Sequence, residues 1–262
     1  MYNTLYGAIK VQLIVIYSLF MRETITRYGR ENIGFLWLLG EPLLFTSGIA
    51  IAWSVAGAAH GHAIGVVEFA ITGYSSVLLW RNCINRATNG LQQNLDLLVH
   101  RRISEFDVIV ARSLLEIVGA TMSFTLLSVF LSMLSILKLP LDLGEVMFGW
   151  ILLAWTSITL ALMLGAVSEM SEMIEKIIHV TTYLLFPLSG AVFMVDWLTP
   201  SFAKVVLFIP MVNELEMIRE GWYGVDAVKA CYDVQYVLDF NIITTLLGLV
   251  LIRKIAGKVE RK

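Results

Sequence analysis

With 262 residues, of which 58% are hydrophobic and only 15% charged, the chain is more apolar than a soluble domain, where roughly 45–50% are apolar and about 25% charged. The formal net charge of −2 and the lack of a long acidic or basic tail give no basis for nucleic-acid binding. With a mean hydropathy of +0.76, these values predict an all-α integral membrane protein that crosses the bilayer several times.

The first predicted element is a helix over residues 1–31, which we place in the cytosolic membrane interface. Its apolar residues recur at spacings of three and four and form one stripe: Tyr2, Leu5, Ile9, Leu13, Ile16 and Phe20. A seventh span is the alternative, but it would place Lys10 well inside the bilayer. The segment lacks the charged start and cleavage site of a secretory signal, so we expect it in the mature protein.

Six apolar runs follow and are predicted as transmembrane helices: 33–57, 67–84, 108–137, 146–167, 177–195 and 234–252. About 20 residues cross the roughly 30 Å of hydrocarbon, and the second and sixth runs have shorter uncharged stretches. Both are kept because of the cations. With both termini cytosolic, groups of four, five, one and five cations, 15 of the 19 Lys and Arg residues, lie on the cytosolic side. The cations left outside are Lys138, Lys204, Arg219 and Lys229.

The first span contains Glu41 and Pro42 about two turns from its start. Pro42 lacks the amide that would bond to the carbonyl of Leu38. A carboxylate inside the bilayer is tolerated where it faces the bundle interior, a wet path or a partner, so we expect Glu41 to face inward. A structural Glu bonded to a neighbouring helix is the alternative to a role in translocation.

Residues 196–233 are predicted as a periplasmic re-entrant pair of short helices. Their apolar pieces, such as VVLFI, are too short to cross a bilayer and are interrupted by Pro200 and Pro210. Dipping into the outer leaflet would bury these pieces, provided that their backbone ends face protein or a wet cavity. An amphipathic pair on the outer surface is the alternative.

No catalytic or metal site is predicted. Cys83 and Cys231 lie on opposite sides of the membrane in this topology and cannot pair. His60 and His62 have no nearby carboxylate or thiol to complete a metal site. The sequence has no phosphate-binding loop, dinucleotide fingerprint, HExxH or GxSxG motif, and its cytosolic loops are too short for a nucleotide-hydrolysing domain.

Uphill transport by this chain would therefore need energy from a separate subunit or from an ion gradient. An ion-coupled carrier would need ionisable groups near the bilayer midplane and two related halves. No repeat relates the halves, and Glu41 is the main charge away from a span end. An ion-coupled carrier and a membrane-bound enzyme or assembly scaffold remain alternatives to an exporter subunit.

Three stretches, in this order and at these separations, carry a resemblance to a known family: RETITRYGRENIGFLWLLGEPLL, LLVHRRISEFDVIVARSLLE and IPMVNELEMIREGWYG. The chain resembles the permease subunit of type-2 ABC exporters, most closely the inner-membrane permease of capsular polysaccharide exporters. The O-antigen and teichoic acid permeases are related alternatives. The resemblance covers nearly the whole chain.

This resemblance implies a half-transporter that dimerises with a second copy of itself and binds two ATPase subunits, which hold ATP and Mg²⁺. It also implies periplasmic and outer-membrane export proteins as further partners. Coupling to the ATPase is expected through residues 22–31, 94–107 and 168–176. The coupling residues are Arg22, Glu23, Arg27, Arg30, Arg101, Arg102, Glu105, Asp107, Glu169 and Glu172.

The implied substrate is a lipid-anchored polysaccharide that moves from the cytosol to the periplasm along a wet path. Sugars stack on aromatic rings, so aromatic side chains are candidates for lining this path. An interfacial aromatic belt is the ordinary alternative for any one of them. The path residues are Trp37, Glu41, Tyr74, Trp80, Tyr183, Asn213, Arg219 and Glu220, the last two being expected to shape the exit or bind its charge.

Overall fold

A computed structural model describes residues 5–28, 40, 43–49, 51–52, 64–88, 90–91, 93 and 103–259. Within these ranges the chain is helical and contains no β-strand, as expected for an all-α membrane protein. The helices are α1 (Leu5–Tyr28), α2 (Val66–Thr88), α3 (Glu105–Met133), α4 (Leu143–Ser168), α5 (Glu172–Leu184), α6 (Pro200–Val206), α7 (Pro210–Tyr223) and α8 (Val234–Val259). Residues 40, 43–49 and 51–52 are also helical and belong to the first predicted span.

Three helices in the described part are long and apolar enough to cross a bilayer: α3, α4 and α8 over Val234–Ile255. They coincide with the predicted spans 108–137, 146–167 and 234–252. Helix α2 covers the predicted span 67–84, and its 23 residues extend about 34 Å.

Local sequence explains where several helices begin. At the start of α3, Ser104 and Asp107 form a capping box, in which each side chain bonds to the other residue's amide. Asp142 accepts from the amide of Glu145 at the start of α4, and Ser171 caps α5 in the same way. These side chains satisfy amides that have no partner inside the helix.

The fifth predicted span, 177–195, is only partly helical. Helix α5 ends at Leu184, and turns occupy residues 185–192. Pro187 cannot donate to a preceding carbonyl, and Gly190 adopts a positive φ of 82°, so the helix cannot continue through this stretch. The 13 residues of α5 extend about 20 Å, less than the hydrocarbon thickness.

Helix α4 lies at the centre of the bundle and packs against α2, α7 and α8. Its Ser168 end lies beside the end of α2 and the start of α3, where Ala87, Val108, Ala166 and Ile255 pack in one apolar cluster. We call this end of the bundle the α1 end, because α1 packs against α3 there. The opposite end, which holds α6 and α7, is called the α7 end.

Helix α1 is apolar on both of its faces. Leu19 is buried against the bundle, with Ile16 and Phe20 beside it. Ile9 and Leu13, which belong to the predicted stripe, are exposed instead. The outer face thus carries large apolar side chains that need lipid or protein against them.

Two short helices occupy the predicted re-entrant segment. Helices α6 and α7 start at Pro200 and Pro210, where a missing amide costs nothing because the first helical amides have no partner. Helix α7 ends at Gly224, whose φ of 84° favours glycine. Helix α6 is exposed for most of its length, whereas α7 is almost wholly buried.

Candidate functional site

Two polar contacts join the amino-terminal helix to the start of α3. Gln12 donates from its amide nitrogen to the carboxylate of Asp107. Arg112 forms an ion pair with Glu23, and both side chains are buried. Two predicted coupling residues from separate segments, Glu23 and Asp107, therefore lie along one helix–helix contact.

The buried Arg112 guanidinium also reaches α2 and the segment that follows it. Its Nη1 donates to the carbonyl of Arg86 at 3.2 Å, and its Nη2 donates to Oε1 of Gln93 at 2.7 Å. Arg86 in turn pairs with Glu116, with 3.4 Å between Nε and Oε1. The sequence did not single out Arg112 or Glu116. The available signal was two opposite charges four residues apart inside an apolar run, because charges in spans are usually paired.

The other predicted coupling residues near these helices lie in different surroundings. Glu105 is buried at the start of α3, whereas Arg22 is exposed on α1. Outside the described residues lie Arg30, Arg101, Arg102 and the side chain of Arg27.

The third predicted coupling segment, 168–176, is a turn between two helices. Ser168 ends α4 and donates from its hydroxyl to the carbonyl of Thr88 at 3.1 Å, so the turn is attached to the end of α2. A cavity of about 370 Å³ opens beside it and is lined by Thr88, Ser168, the predicted residues Glu169 and Glu172, and Lys176 among others. The segment therefore lies at the α1 end together with the first two coupling segments.

At the α7 end, the polar side chains of α7 bind backbone groups of the surrounding segments. Asn213 donates to a carbonyl of the segment before α7 at 2.9 Å and accepts from the amide of Asp233 at 3.0 Å. Glu216 accepts from the amides of Val195 and Cys231, each at 3.2 Å. These bonds satisfy backbone groups that lie outside regular helices.

Arg219 satisfies the carbonyls where the fifth predicted span leaves its helical path. Its guanidinium donates to the carbonyls of Gly190 at 2.8 Å, Phe193 at 2.7 Å and Ala191 at 3.1 Å. The side chain is 0% exposed, and its Cζ lies 3.8 Å from the centroid of the Phe69 ring. This predicted exit residue thus contacts backbone and an aromatic face rather than an open surface.

Glu220, the other predicted exit residue, is partly exposed near two polar side chains. Tyr232 donates from its hydroxyl to Oε1 of Glu145 at 2.9 Å. Burial, together with hydrogen bonding to Glu220 and Glu145, raises the pKa of the Tyr232 phenol, which therefore stays protonated as a donor.

A buried polar cluster lies where α4, α7 and α8 meet. The hydroxyl of Thr156 contacts the carboxyl group of Glu214 and lies 2.8 Å from Oδ1 of Asn241. In the described part of the chain, no cation lies within 4.0 Å of Glu214, and its second carboxyl oxygen has no hydrogen-bond partner. A carboxyl group in such surroundings is favoured in its neutral form.

The predicted path aromatics divide by exposure. Trp80 is 1% exposed, and Tyr74 is also buried and packs edge-on against Phe186. Tyr183, by contrast, is 63% exposed on α5. Trp37 and Glu41 lie outside the described residues, so the inward orientation of Glu41 stays a prediction.

No family model matches the chain, but curated relatives match it over nearly its full length. It is 37% identical to the capsule polysaccharide export inner-membrane protein CtrC of Neisseria meningitidis serogroup B, over 98% of this chain and 97% of that protein. It is 35% identical to the capsule polysaccharide export inner-membrane protein BexB of Haemophilus influenzae, with the same coverage. The polysialic acid transport protein KpsM of Escherichia coli is 23% identical over 93% of this chain and 94% of its own length.

Proposed function

This chain belongs to the family of capsule polysaccharide export inner-membrane proteins, and from that membership we propose that it is the membrane-spanning permease of an ABC exporter. It moves a lipid-anchored capsular polysaccharide from the cytosol to the periplasm. The single observation that carries this proposal is the 37% identity over 98% of the chain, because it leaves little room for a different architecture.

The chain itself catalyses no reaction in this proposal. It forms a homodimer in the bacterial inner membrane, with both termini cytosolic, and binds two ATPase subunits that hold ATP and Mg²⁺. Periplasmic and outer-membrane export proteins continue the route. Large exposed apolar side chains on α3, α5 and α8 supply the surface that lipid and the second copy cover.

The contacts at the α1 end support its role in coupling. Motion of the ATPase reaches the spans through elements that are rigidly joined, since packed helices transmit displacement better than loose loops. The Glu23–Arg112 ion pair joins α1 to α3, and the Ser168–Thr88 bond joins the 168–176 turn to α2. The three coupling segments therefore act on α2, α3 and α4 together.

At the α7 end, Arg219 shapes the exit and does not bind the charge of the substrate. Its guanidinium already donates to three carbonyls and is sealed from solvent, so a passing polymer has no surface on it to contact. Glu220, which is partly exposed beside Tyr232, is the residue of the pair that can meet the polymer.

Deleting the chain in its own host tests the proposed function. We expect the surface polysaccharide to be lost and the lipid-linked polymer to accumulate in the cytosol, with both effects reversed by the full-length chain. An ATPase subunit with Walker motifs should co-purify with the chain. Export that stops when the proton gradient is dissipated while ATP persists would instead support an ion-coupled carrier, and unchanged surface polysaccharide after deletion would contradict the proposal.

A further inference from the structure

A ladder of polar contacts runs along the interface between α2 and α5. Thr88 lies 3.2 Å from Nε2 of His179 at the α1 end. One turn further along, the hydroxyl of Thr182 donates to Oδ1 of Asn85 at 3.1 Å. The last contact pairs Arg81 with the ring of Tyr183, and its guanidinium Cζ lies 5.5 Å from the ring centroid.

Arg81 differs from the other arginines whose side chains are described inside the bundle. Arg112 is paired with Glu23, Arg86 with Glu116, and Arg219 donates to three carbonyls. In the part of the chain that the structure describes, Arg81 has no carboxylate within 4.0 Å and no hydrogen bond.

The position of Arg81 makes this lack of a counter-ion costly. It lies seven residues before the end of α2, about 10 Å along the helix axis from Thr88, and is half-buried. A cation at such a position inside a membrane bundle is expensive unless an anion or a wet path accompanies it. Its contact with Tyr183 compensates only part of the cost, because a ring face is a weaker partner than a carboxylate.

The geometry of the pair leaves binding groups free. A guanidinium that lies over a ring still presents its N–H groups at its edge, where they fit the two oxygens of a carboxylate or a phosphate. Tyr183 remains 63% exposed, so ring surface is available for a sugar. Asn85 also has an amide nitrogen without a hydrogen bond among the described residues.

We propose that Arg81 and Tyr183 form a subsite that binds an anionic sugar unit of the exported polysaccharide. The guanidinium pairs with a carboxylate or phosphate of that unit, and the phenol ring stacks on its C–H face. The ladder below it, with hydroxyl, amide and imidazole groups, provides hydrogen-bonding partners from the cavity at Thr88 up to the subsite. This inference rests on the proposed export function and specifies which residues contact its substrate.

Complementation of the deletion strain tests the subsite with the cell's own polysaccharide. The substitutions are Arg81→Gln, Arg81→Lys, Tyr183→Leu and Tyr183→Phe. Surface polysaccharide is measured per cell and divided by the amount of chain in the membrane, so that a variant that fails to fold is recognised. Tyr17→Leu is the matched control, because Tyr17 is 64% exposed on a different helix, and Leu184→Ala alters an exposed neighbour on α5.

We expect Arg81→Gln and Tyr183→Leu each to lower normalised export about tenfold, the effect of losing one charge-assisted contact or one stacked ring. Arg81→Lys retains the charge and Tyr183→Phe retains the ring, so both should export more than their partners. The two control variants should match the wild type. Export within twofold of wild type for both Arg81→Gln and Tyr183→Leu would overturn the subsite. So would equal export by Arg81→Gln and Arg81→Lys.

A phospholipid headgroup offers Arg81 the same anion, and a second arm separates the two sources. Thermal unfolding of wild type and Arg81→Gln is compared in nanodiscs of phosphatidylcholine alone and with phosphatidylglycerol added. We expect the added lipid to shift both proteins equally. A shift confined to the wild type would assign Arg81 to the headgroup and overturn the polysaccharide assignment.

Failure of the export function itself is recognised separately. If deletion of the chain leaves surface polysaccharide unchanged, the proposed function fails. If deletion abolishes it but the Arg81 and Tyr183 variants restore it fully, only the subsite fails.

Discussion

Replacing Arg219 by methionine tests whether this cation holds the α7 end of the bundle together. The substitution keeps a long side chain in the same space but removes every donor. Three carbonyl oxygens, on Gly190, Ala191 and Phe193, then lose the guanidinium that they accept from. The face of Phe69 loses its cation as well.

The expected loss follows from these contacts. Each buried acceptor left without its donor costs about 1–3 kcal/mol, and a desolvated cation–π contact contributes about 2 kcal/mol. Methionine avoids the cost of burying a charge, so the net effect is smaller than the sum. We expect Arg219→Met to lower the free energy of unfolding by about 3–5 kcal/mol, a large share of the roughly 5–15 kcal/mol typical of a folded protein.

Thermal unfolding in detergent micelles, followed by the fraction that stays monodisperse, measures this loss. For a chain of this size, the expected change corresponds to a midpoint roughly 10 °C lower. Lys204→Met is the matched control, because Lys204 is an exposed cation on the neighbouring α6, and it should leave the midpoint unchanged.

The result also separates a shaping role from a binding role. Arg219→Met that unfolds like the wild type and yet fails to export would show that Arg219 acts on the substrate, contrary to the reasoning above. A midpoint and an export level both equal to those of the wild type would refute the structural role of its three bonds.

Three further predictions concern the contacts between helices. Glu23→Arg and Arg112→Glu should each reduce export strongly by leaving a buried charge unpaired, and the double exchange should recover part of it; export and membrane level of all three variants measure this, and additive losses would contradict the pairing. Glu214→Gln should change unfolding by less than about 1 kcal/mol, because the amide replaces a neutral acid, whereas Glu214→Leu should cost about 2 kcal/mol or more; equal losses in a thermal unfolding assay would argue against this. Gly221→Ala should lower the amount of folded chain, since its Cβ would lie 2.8 Å from a backbone nitrogen of α4, while Gly48→Ala, which meets nothing within 4 Å, should not; equal yields on gel filtration would contradict the close approach.

Sequence patterns predicted the number and order of the long helices because hydrophobic runs and cation placement reflect the bilayer directly. Spans 108–137, 146–167 and 234–252 coincide with helices of matching length. The run 177–195 did not behave in the same way. Its mean apolarity resembles a span, but Pro187 and Gly190 end the helix, and a composition window does not register two residues.

The pairing of polar residues was beyond sequence reasoning for a different reason. Glu23 and Arg112 are 89 residues apart, and nothing local in either segment indicates the partner. Asn213, Glu216 and Arg219 share one helix, and their spacing does not reveal that they bind backbone rather than substrate. Burial decides this question, and burial depends on how α7 packs against α4 and α2.

The bonds made by Arg219 also constrain how the chain is built into the membrane. The carbonyls of residues 190–193 leave the ribosome about thirty residues before the guanidinium that satisfies them. In lipid, these groups would have no partner during that interval. The stretch from α5 to α7 therefore enters the bilayer as one unit, held at the translocon until Arg219 has emerged, and not as a fifth helix followed later by a cap.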